Sequence, residues 1–389
     1  MSPVLISPEA LERALRLRDL TDPARGPHAM QALVERVTGA LAGRWRCALR
    51  VHRAHPVVPV ADNYDRLHYP PGAAARDARY TRYVSEGTLL RAHTTAMVPD
   101  LLRSLAEAPP DDLLLACPGL VYRRDQIDRL HTGEPHQMDV WRVASRPLGE
   151  ADLREMVDAV VSAVLPGAEY RCNAADHPYT TGGLEVEVRV GDEWIEVLEC
   201  GLALPAILRE AGLPEGRAWG LAMGMGLDRL LMLVKGIDDI RLLRAGDPRI
   251  AGQMLDLSPY RPVSHQPPVR RDLSVALSAD LTPEEVGDRV RGVLGPRVAA
   301  LESVDVLSET PYDILPPAAR ARIGIRPGQK NVLVRVVIRD LERTLTREEA
   351  NALRDAVYAA LHEGGAWQWA GRERQCVSAV DLVVGGAGG

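Results

Sequence analysis

Residues 119–143 read GLVYRRDQIDRLHTGEPHQMDVWRV. The stretch opens apolar, with Leu120, Val121 and Tyr122, and closes on an alternating run of Met138, Val140, Trp141 and Val143. Between them lie Arg123, Arg124, Asp125, Asp128, Arg129, His131 and Glu134 around one glycine and one proline. Two strand-forming runs separated this way predict two antiparallel strands joined by a long polar loop. An arginine near the end of the first strand can fork onto a phosphate, and a carboxylate two residues on points the same way. Standing alone, the stretch would read as a solvated charged hairpin.

The order of its residues resembles motif 2 of class II aminoacyl-tRNA synthetases, in particular the single-chain, organellar type of phenylalanyl-tRNA synthetase. That family carries a tyrosine, two arginines and an acid, then Ile-Asp, a His-centred loop and a His-Gln-x-acid strand. Here these are Tyr122-Arg123-Arg124-Asp125, Ile127-Asp128, His131 and His136-Gln137-Met138-Asp139.

The whole chain sets bounds on that reading. Its 389 residues suffice for two domains. A net charge of -6 argues against a nonspecific nucleic-acid coat while leaving room for a local basic patch. Cys47, Cys117, Cys172, Cys200 and Cys376 form no CxxC pair, so free thiols in a reducing compartment and no zinc site are expected. The first residues have amphipathic helical spacing with acids rather than a secretory apolar core, and no run approaches a membrane span. The expected location is cytoplasmic. Phenylalanine is absent, although tyrosine occurs 10 times and tryptophan 6 times, and all but two of the 47 basic residues (Lys235 and Lys330) are arginine. A GC-rich coding bias accounts for the arginines; it would thin tyrosine as much as phenylalanine.

Helices are expected over residues 9–20 and 28–42, followed by a β-rich segment from Trp45 to Val51. A long helix feeding a strand that ends at prolines resembles motif 1, and Asn63-Tyr64-Asp65 and Ala75-Arg76-Asp77 match segments that follow it in the family. Thr94 and Thr95 are natural helix N-caps, and Leu90-Arg91-Ala92-His93-Thr94-Thr95 resembles the element that lines the family's amino-acid pocket. Residues 150–164 read as an amphipathic helix. The runs LEVEVRV and WIEVLEC read as strands joined at Gly191-Asp192, with their acids on one face. Gly220, Gly224 and Gly226, followed by a helix from about Leu227 to Val234, resemble motif 3, whose second arginine is Arg229 here. An arginine in so apolar a helix needs an anionic partner.

Behind this core, residues 258–268 form a proline-rich linker. Residues 269–389 read as β-α-β-β-α-β, a ferredoxin-like split with its last strand near Trp367. This part resembles the ferredoxin-fold anticodon-binding domain of the same family. The expected fold is therefore α+β, with a class II antiparallel sheet core over residues 1–257 and the smaller domain behind it. Arg320, Arg322, Arg326 and Lys330, in an insertion of that domain, are candidates for tRNA contact.

The resemblance implies an ATP-dependent aminoacyl-tRNA ligase that activates an aromatic amino acid as its adenylate and transfers it to tRNA. It implies Arg123 on the α-phosphate, Arg229 on the γ-phosphate, and Asp125 and His131 on ATP. Glu196 is implied on the nucleotide or its Mg2+, with Glu185 as a second acid. Gln137 and Asp139 would hold the α-amino group, with His93 and Thr95 beside them. The pocket's departures are His177-Pro178-Tyr179 for a family Phe-Pro-Phe, Met223 beside Ala222 for a phenylalanine, and Glu199 for a glycine. Glu199 puts phenylalanine as the substrate in doubt, because a carboxylate beside an apolar pocket needs a partner. Two alternatives stay open: a paralogue that activates another amino acid for a non-tRNA acceptor, or a non-catalytic sensor of amino acid or tRNA. A monomer and a homodimer are both compatible with the sequence.

Overall fold

The computed structural model describes residues 4–263 and 267–367. In chain order the first half gives α1 (Pro8–Arg16), α2 (Ala29–Trp45), β1 (Ala48–Val51), β2 (Val57–Pro59), α3 (Val60–Asn63), β3 (Thr88–Leu90), α4 (Val98–Ser104), β4 (Asp112–Leu120) and β5 (His136–Ala144). There follow α5 (Glu150–Val164), β6 (Tyr170–Ala174), β7 (Thr180–Val190), β8 (Glu193–Ala203), α6 (Pro205–Glu210), β9 (Trp219–Gly226), α7 (Leu227–Lys235) and α8 (Pro248–Ala251). The rest consists of β10 (Val269–Ser278), α9 (Pro283–Leu294), β11 (Leu301–Pro311), α10 (Pro317–Ile323), β12 (Gln329–Ile338) and α11 (Arg347–Leu361).

Seven strands form one sheet in the order β1-β4-β5-β9-β8-β7-β6. All its pairs are antiparallel except β1 with β4. Helices α2, α5 and α7 cover one face, burying Leu33, Val37, Met156, Val160 and Leu231 against Met138, Val140, Met223 and Met225. Helices α4 and α6 cover part of the other, where Leu101, Leu102 and Ile207 meet Leu115, Trp141, Val143 and Ala222. The motif 2 hairpin is therefore central, and β4 and β5 are buried on both faces. This is why Met138 and Val140 enter one core while Trp141 and Val143 enter the other.

The β7–β8 hairpin turns at Gly191 and Asp192, with Gly191 in the left-handed conformation that glycine adopts without strain. Helices α5 and α7 fall where the sequence places them. Three boundaries differ. The first helix stops at Arg16, with Leu17 extended. The second runs past Gly43 to Trp45, and the following strand starts only at Ala48. Contacts beyond the glycine hold that last turn. Arg44 and the Trp45 indole both bond Glu155 of α5, and the Arg142 guanidinium lies 4.3 Å above the Trp45 ring. Tertiary packing here outweighs glycine's weak helix propensity. Finally, Thr94 and Thr95 cap nothing: a 3-10 turn starts at Thr94 after His93, without a side-chain cap.

The C-terminal unit has its own core, with strand order β10-β12-β11 and helices α9 and α11 packed on it. Both helices start in reciprocal capping boxes, Thr282 with Glu285 and Thr346 with Glu349. The last strand expected near Trp367 lies outside the described residues, as do residues 368–389 generally.

Candidate active site

Strand register brings chemically distinct side chains into one row across the large sheet. Cys117, Asp139, Gly224, Glu199, Glu185 and Asn173 are successive partners from β4 to β6. In the row two residues away, Trp141 faces Ala222, which faces Gly201. Residues two apart on a strand share a face, so these rows build one surface. Its centre is Gly224, between the carboxylates of Asp139 and Glu199.

Asp139 is buried. Its Oδ2 accepts from the hydroxyls of Thr94 at 2.9 Å and Thr95 at 3.0 Å, and its Oδ1 from the Trp141 indole at 3.2 Å. These bonds are where the two threonine hydroxyls go in place of capping. Burial pushes the Asp139 carboxyl up to about 6 in spite of them.

His93 lies beside this carboxylate. The Ala92 N–H donates to Asn63 Oδ1 at 3.1 Å, which orients the Asn63 amide. Its NH2 group therefore faces His93 Nε2 at 3.3 Å and donates to it. Nε2 is then the acceptor, and Nδ1 carries the proton. Burial, reinforced by the Arg123 charge, lowers the His93 pKa to about 3, so the ring is neutral. Nδ1 is shut off from solvent and has no hydrogen-bond partner. An N–H suits a carboxylate or phosphate oxygen and cannot accept from an ammonium, so His93 does not fit the α-amino role that the sequence suggests.

Arg123 sits just past β4. Its Nε donates to the Ala92 carbonyl at 2.8 Å, and the Gly133 carbonyl accepts from its backbone N–H at 2.8 Å. Buried Arg82 holds the Arg123 carbonyl from behind while pairing with Glu134. On α7, Arg229 donates to the Glu196 carbonyl at 3.1 Å and keeps an exposed guanidinium. The Glu196 carboxyl is raised by burial and by nearby Glu199 and Glu185. No group of three or more potential metal ligands occurs among the described residues. Glu196 with nucleotide phosphates suits Mg2+, which takes one or two protein carboxylates and keeps the rest of its shell as phosphate and water.

His131 is tied to Asp128 at 2.8 Å, a contact that raises its pKa. Gln137 is half-buried on β5 opposite Gly119 and Gly226. Asp125 bonds the next backbone N–H, and its own carbonyl is gripped by Arg291 of α9 at 2.6 Å. The same arginine bonds the Gln126 carbonyl, Val304 N–H donates to the Ile127 carbonyl, and Ile127 is buried in the C-terminal core. The ATP loop expected from the sequence is thus held by the C-terminal unit, which the residues of the loop alone do not reveal.

The ring end of the site is aromatic and polar together. Tyr179, half-buried, stacks on Trp141 at a centroid distance of 6.1 Å and lies near Tyr69 and His177. Tyr69 in turn stacks on His93. His177 Nε2 lies 3.1 Å from Glu199 Oε2. Glu199 raises the His177 pKa, and His177 lowers that of Glu199. The partner that Glu199 needs is therefore the histidine replacing a family phenylalanine. Tyr69, Trp141, Arg82 and the orienting role of Asn63 were missed by the sequence reading. Their signal lay in side chains that meet only across strands and loops.

The basic candidates of the insertion are largely engaged within the protein. Arg320 covers the Tyr312 ring at 4.3 Å and bonds the Asp313 carbonyl, while Arg326 bonds the Glu363 carbonyl. Lys330 bonds the Leu281 carbonyl and pairs with Glu309 at 3.0 Å. Arg322 is exposed on α10.

The core domain of class II tRNA synthetases (F) matches residues 25–254. The chain belongs to the class II aminoacyl-tRNA synthetases. It is 30% identical over 317 residues to a chloroplastic/mitochondrial phenylalanine-tRNA ligase of Arabidopsis thaliana, covering 78% of this chain and 68% of that one. A probable mitochondrial phenylalanine-tRNA ligase of Drosophila melanogaster is 28% identical over 365 residues, 79% of this chain and 76% of its own. A phenylalanine-tRNA ligase alpha subunit of Prochlorococcus marinus is 35% identical over 240 residues, 60% and 69%. As a class II synthetase the protein is an enzyme.

Proposed function

We propose that this synthetase is a ligase of the phenylalanine type. It joins the carboxylate of an aromatic amino acid to the α-phosphorus of ATP, releases pyrophosphate, and passes the acyl group to the terminal ribose of tRNA. The observation that carries the reading is that Arg123 and Arg229 both lie near Glu196, beside the row that holds Asp139 and Glu199, in a chain whose relatives bear that name.

Such chemistry needs positioning and charge neutralisation rather than an enzyme nucleophile. Arg123, fixed through Ala92, neutralises the α-phosphate as charge develops. Arg229 holds the γ-phosphate, and Asp125 and His131 line the nucleotide. Gln137, Asp139 and Thr95 take the α-amino group, and His93 donates to an oxygen of the carboxylate. Mg2+, held by Glu196 and the phosphates, offsets nucleotide charge when bound. The C-terminal unit takes the tRNA anticodon arm, with Arg322 of α10 available to its phosphates. Free Cys47, Cys117, Cys172 and Cys200 support a reducing, cytoplasmic setting.

The test is pyrophosphate exchange by the full chain against every proteinogenic amino acid, followed by acylation of total tRNA. Exchange with an aromatic amino acid and transfer to tRNA are expected. Exchange without acylation of any tRNA would move the protein to a non-tRNA acceptor, and absence of both would make it a sensor.

A further inference from the structure

The ring end of the amino-acid site carries two polar groups for which an unsubstituted benzene ring has no use. His177 stands in the turn before β7, folded back so that its Nδ1 lies 3.3 Å from Thr180 Oγ1. The turn is tightly built. A Cβ on Gly183 would fall 2.3 Å from the Ala175 carbonyl and 2.9 Å from His177 Nδ1, so a glycine there is needed to seat the imidazole. The His177 side chain is 11% exposed, and Glu199 opposite it is 44% exposed.

His177 Nε2 and Glu199 Oε2 pair at 3.1 Å, and the buried Nε2 makes no well-aligned hydrogen bond in that contact. Buried polar nitrogens without a well-aligned hydrogen bond are rare in folded proteins, and each calls for an explanation such as a bound water, ion or ligand. The arrangement also has the right span. Asp139 and Glu199 flank Gly224 on the two neighbouring strands, about 10 Å apart at two strand spacings. An amino acid lying over Gly224 with its ammonium toward Asp139 directs its ring toward His177 and Glu199. Tyr179, stacked on Trp141, walls this path with an aromatic face.

We propose that His177 and Glu199 read a hydroxyl on the substrate's ring, and that the enzyme activates a ring-hydroxylated phenylalanine in preference to phenylalanine itself. The hydroxyl accepts from His177 Nε2–H and donates to Glu199, completing both groups at once. A site with polar groups of this kind discriminates against the analogue that leaves them unpaired. This inference rests on the proposed amino-acid activation and specifies its substrate class.

The experiment measures pyrophosphate exchange with phenylalanine, tyrosine and 3-hydroxyphenylalanine, together with amino-acid binding by calorimetry. Parent protein is compared with the matched double variant His177→Phe/Glu199→Gly, which removes both charges together. At least one hydroxylated substrate is expected to exceed phenylalanine in kcat/KM by tenfold or more, and the double variant is expected to reverse the order. Phenylalanine as the better substrate of the parent, with its ratio to the hydroxylated pair unchanged in the variant, overturns the inference while leaving activation intact. Loss of all exchange in the parent would overturn the activation itself. The binding preference then decides ring reading alone, and failure to favour a hydroxylated ring in calorimetry overturns it.

Discussion

A Cβ placed on Gly287 would lie 2.5 Å from the backbone oxygen of Asp125. Gly287 is buried in α9 of the C-terminal unit, and Asp125 belongs to the loop that carries Arg123. The missing side chain lets a helix lie directly against the nucleotide loop, where Arg291, one turn on, bonds the Asp125 and Gln126 carbonyls. Adding atoms at such a contact forces the helix or the loop to move, typically at a cost of about 1–3 kcal/mol.

Gly287→Ala is therefore expected to raise KM for ATP and to lower exchange about tenfold or more, although it lies far from Arg229 in sequence. Gly292→Ala on the same helix is the control, since a Cβ there meets nothing within 4 Å. Kinetics of both variants check the coupling. Equal behaviour of the two would show that the loop does not depend on α9.

Arg123→Ala and Arg229→Ala are each expected to lower kcat/KM by roughly 10²–10³-fold, the usual loss for one preorganised charge contact. Arg123→Lys should recover little. The guanidinium uses Nε to fix itself on the Ala92 carbonyl while leaving its outer nitrogens for phosphate, and an ammonium cannot do both. Steady-state exchange measures this, and parental rates in both alanine variants would misplace the phosphate site.

The sequence revealed the elements whose signals are local. The α5 pattern and the Gly191 turn each sit within a few residues and were readable. The family order of Arg123, Gln137, Asp139 and Arg229 was readable as well. The partners assigned by tertiary contacts were not. Thr94 and Thr95 look like caps in isolation and bond Asp139 across strands. Ile127 looks like a loop residue of the catalytic unit, yet it is buried in the other core. Lys330 looks available for phosphate and is paired with Glu309.

Asp139 gives a pH signature. Burial raises its carboxyl to about 6, above the ordinary 3.8. The stability it contributes is complete below the unfolded pKa and is lost as pH rises through about 6, because the fold must then hold a buried charge. Binding of an ammonium runs the opposite way, since it needs the carboxylate. Amino-acid affinity is expected to strengthen as pH rises through about 6, while the unliganded protein loses stability over the same window. Asp139→Asn should weaken binding and flatten both profiles. Calorimetric titration and thermal unfolding across that window check the pair, and a parental pH dependence in the variant would assign the titration elsewhere.

The absence of phenylalanine has a physical consequence in the core. Large buried rings are tyrosine or tryptophan, and each brings a polar atom that needs a partner. Tyr64 is fully buried, and its hydroxyl bonds Thr81 and the Ala75 carbonyl at 2.6 Å. Tyr83 bonds the Arg76 carbonyl at 2.7 Å. The core is built around those bonds, so Tyr64→Phe should destabilise the protein by about 1 kcal/mol despite adding no volume, and a neutral result in denaturant unfolding would show the hydroxyl to be incidental. The same composition frees synthesis of this chain from any supply of phenylalanyl-tRNA. During phenylalanine starvation, its synthesis is expected to persist after that of a phenylalanine-rich control has fallen. Pulse labelling of both proteins in a starved phenylalanine auxotroph measures this. A parallel fall in the two would reduce the missing residue to codon drift. Persistence would identify an enzyme that can be made when the product of its own family is scarce.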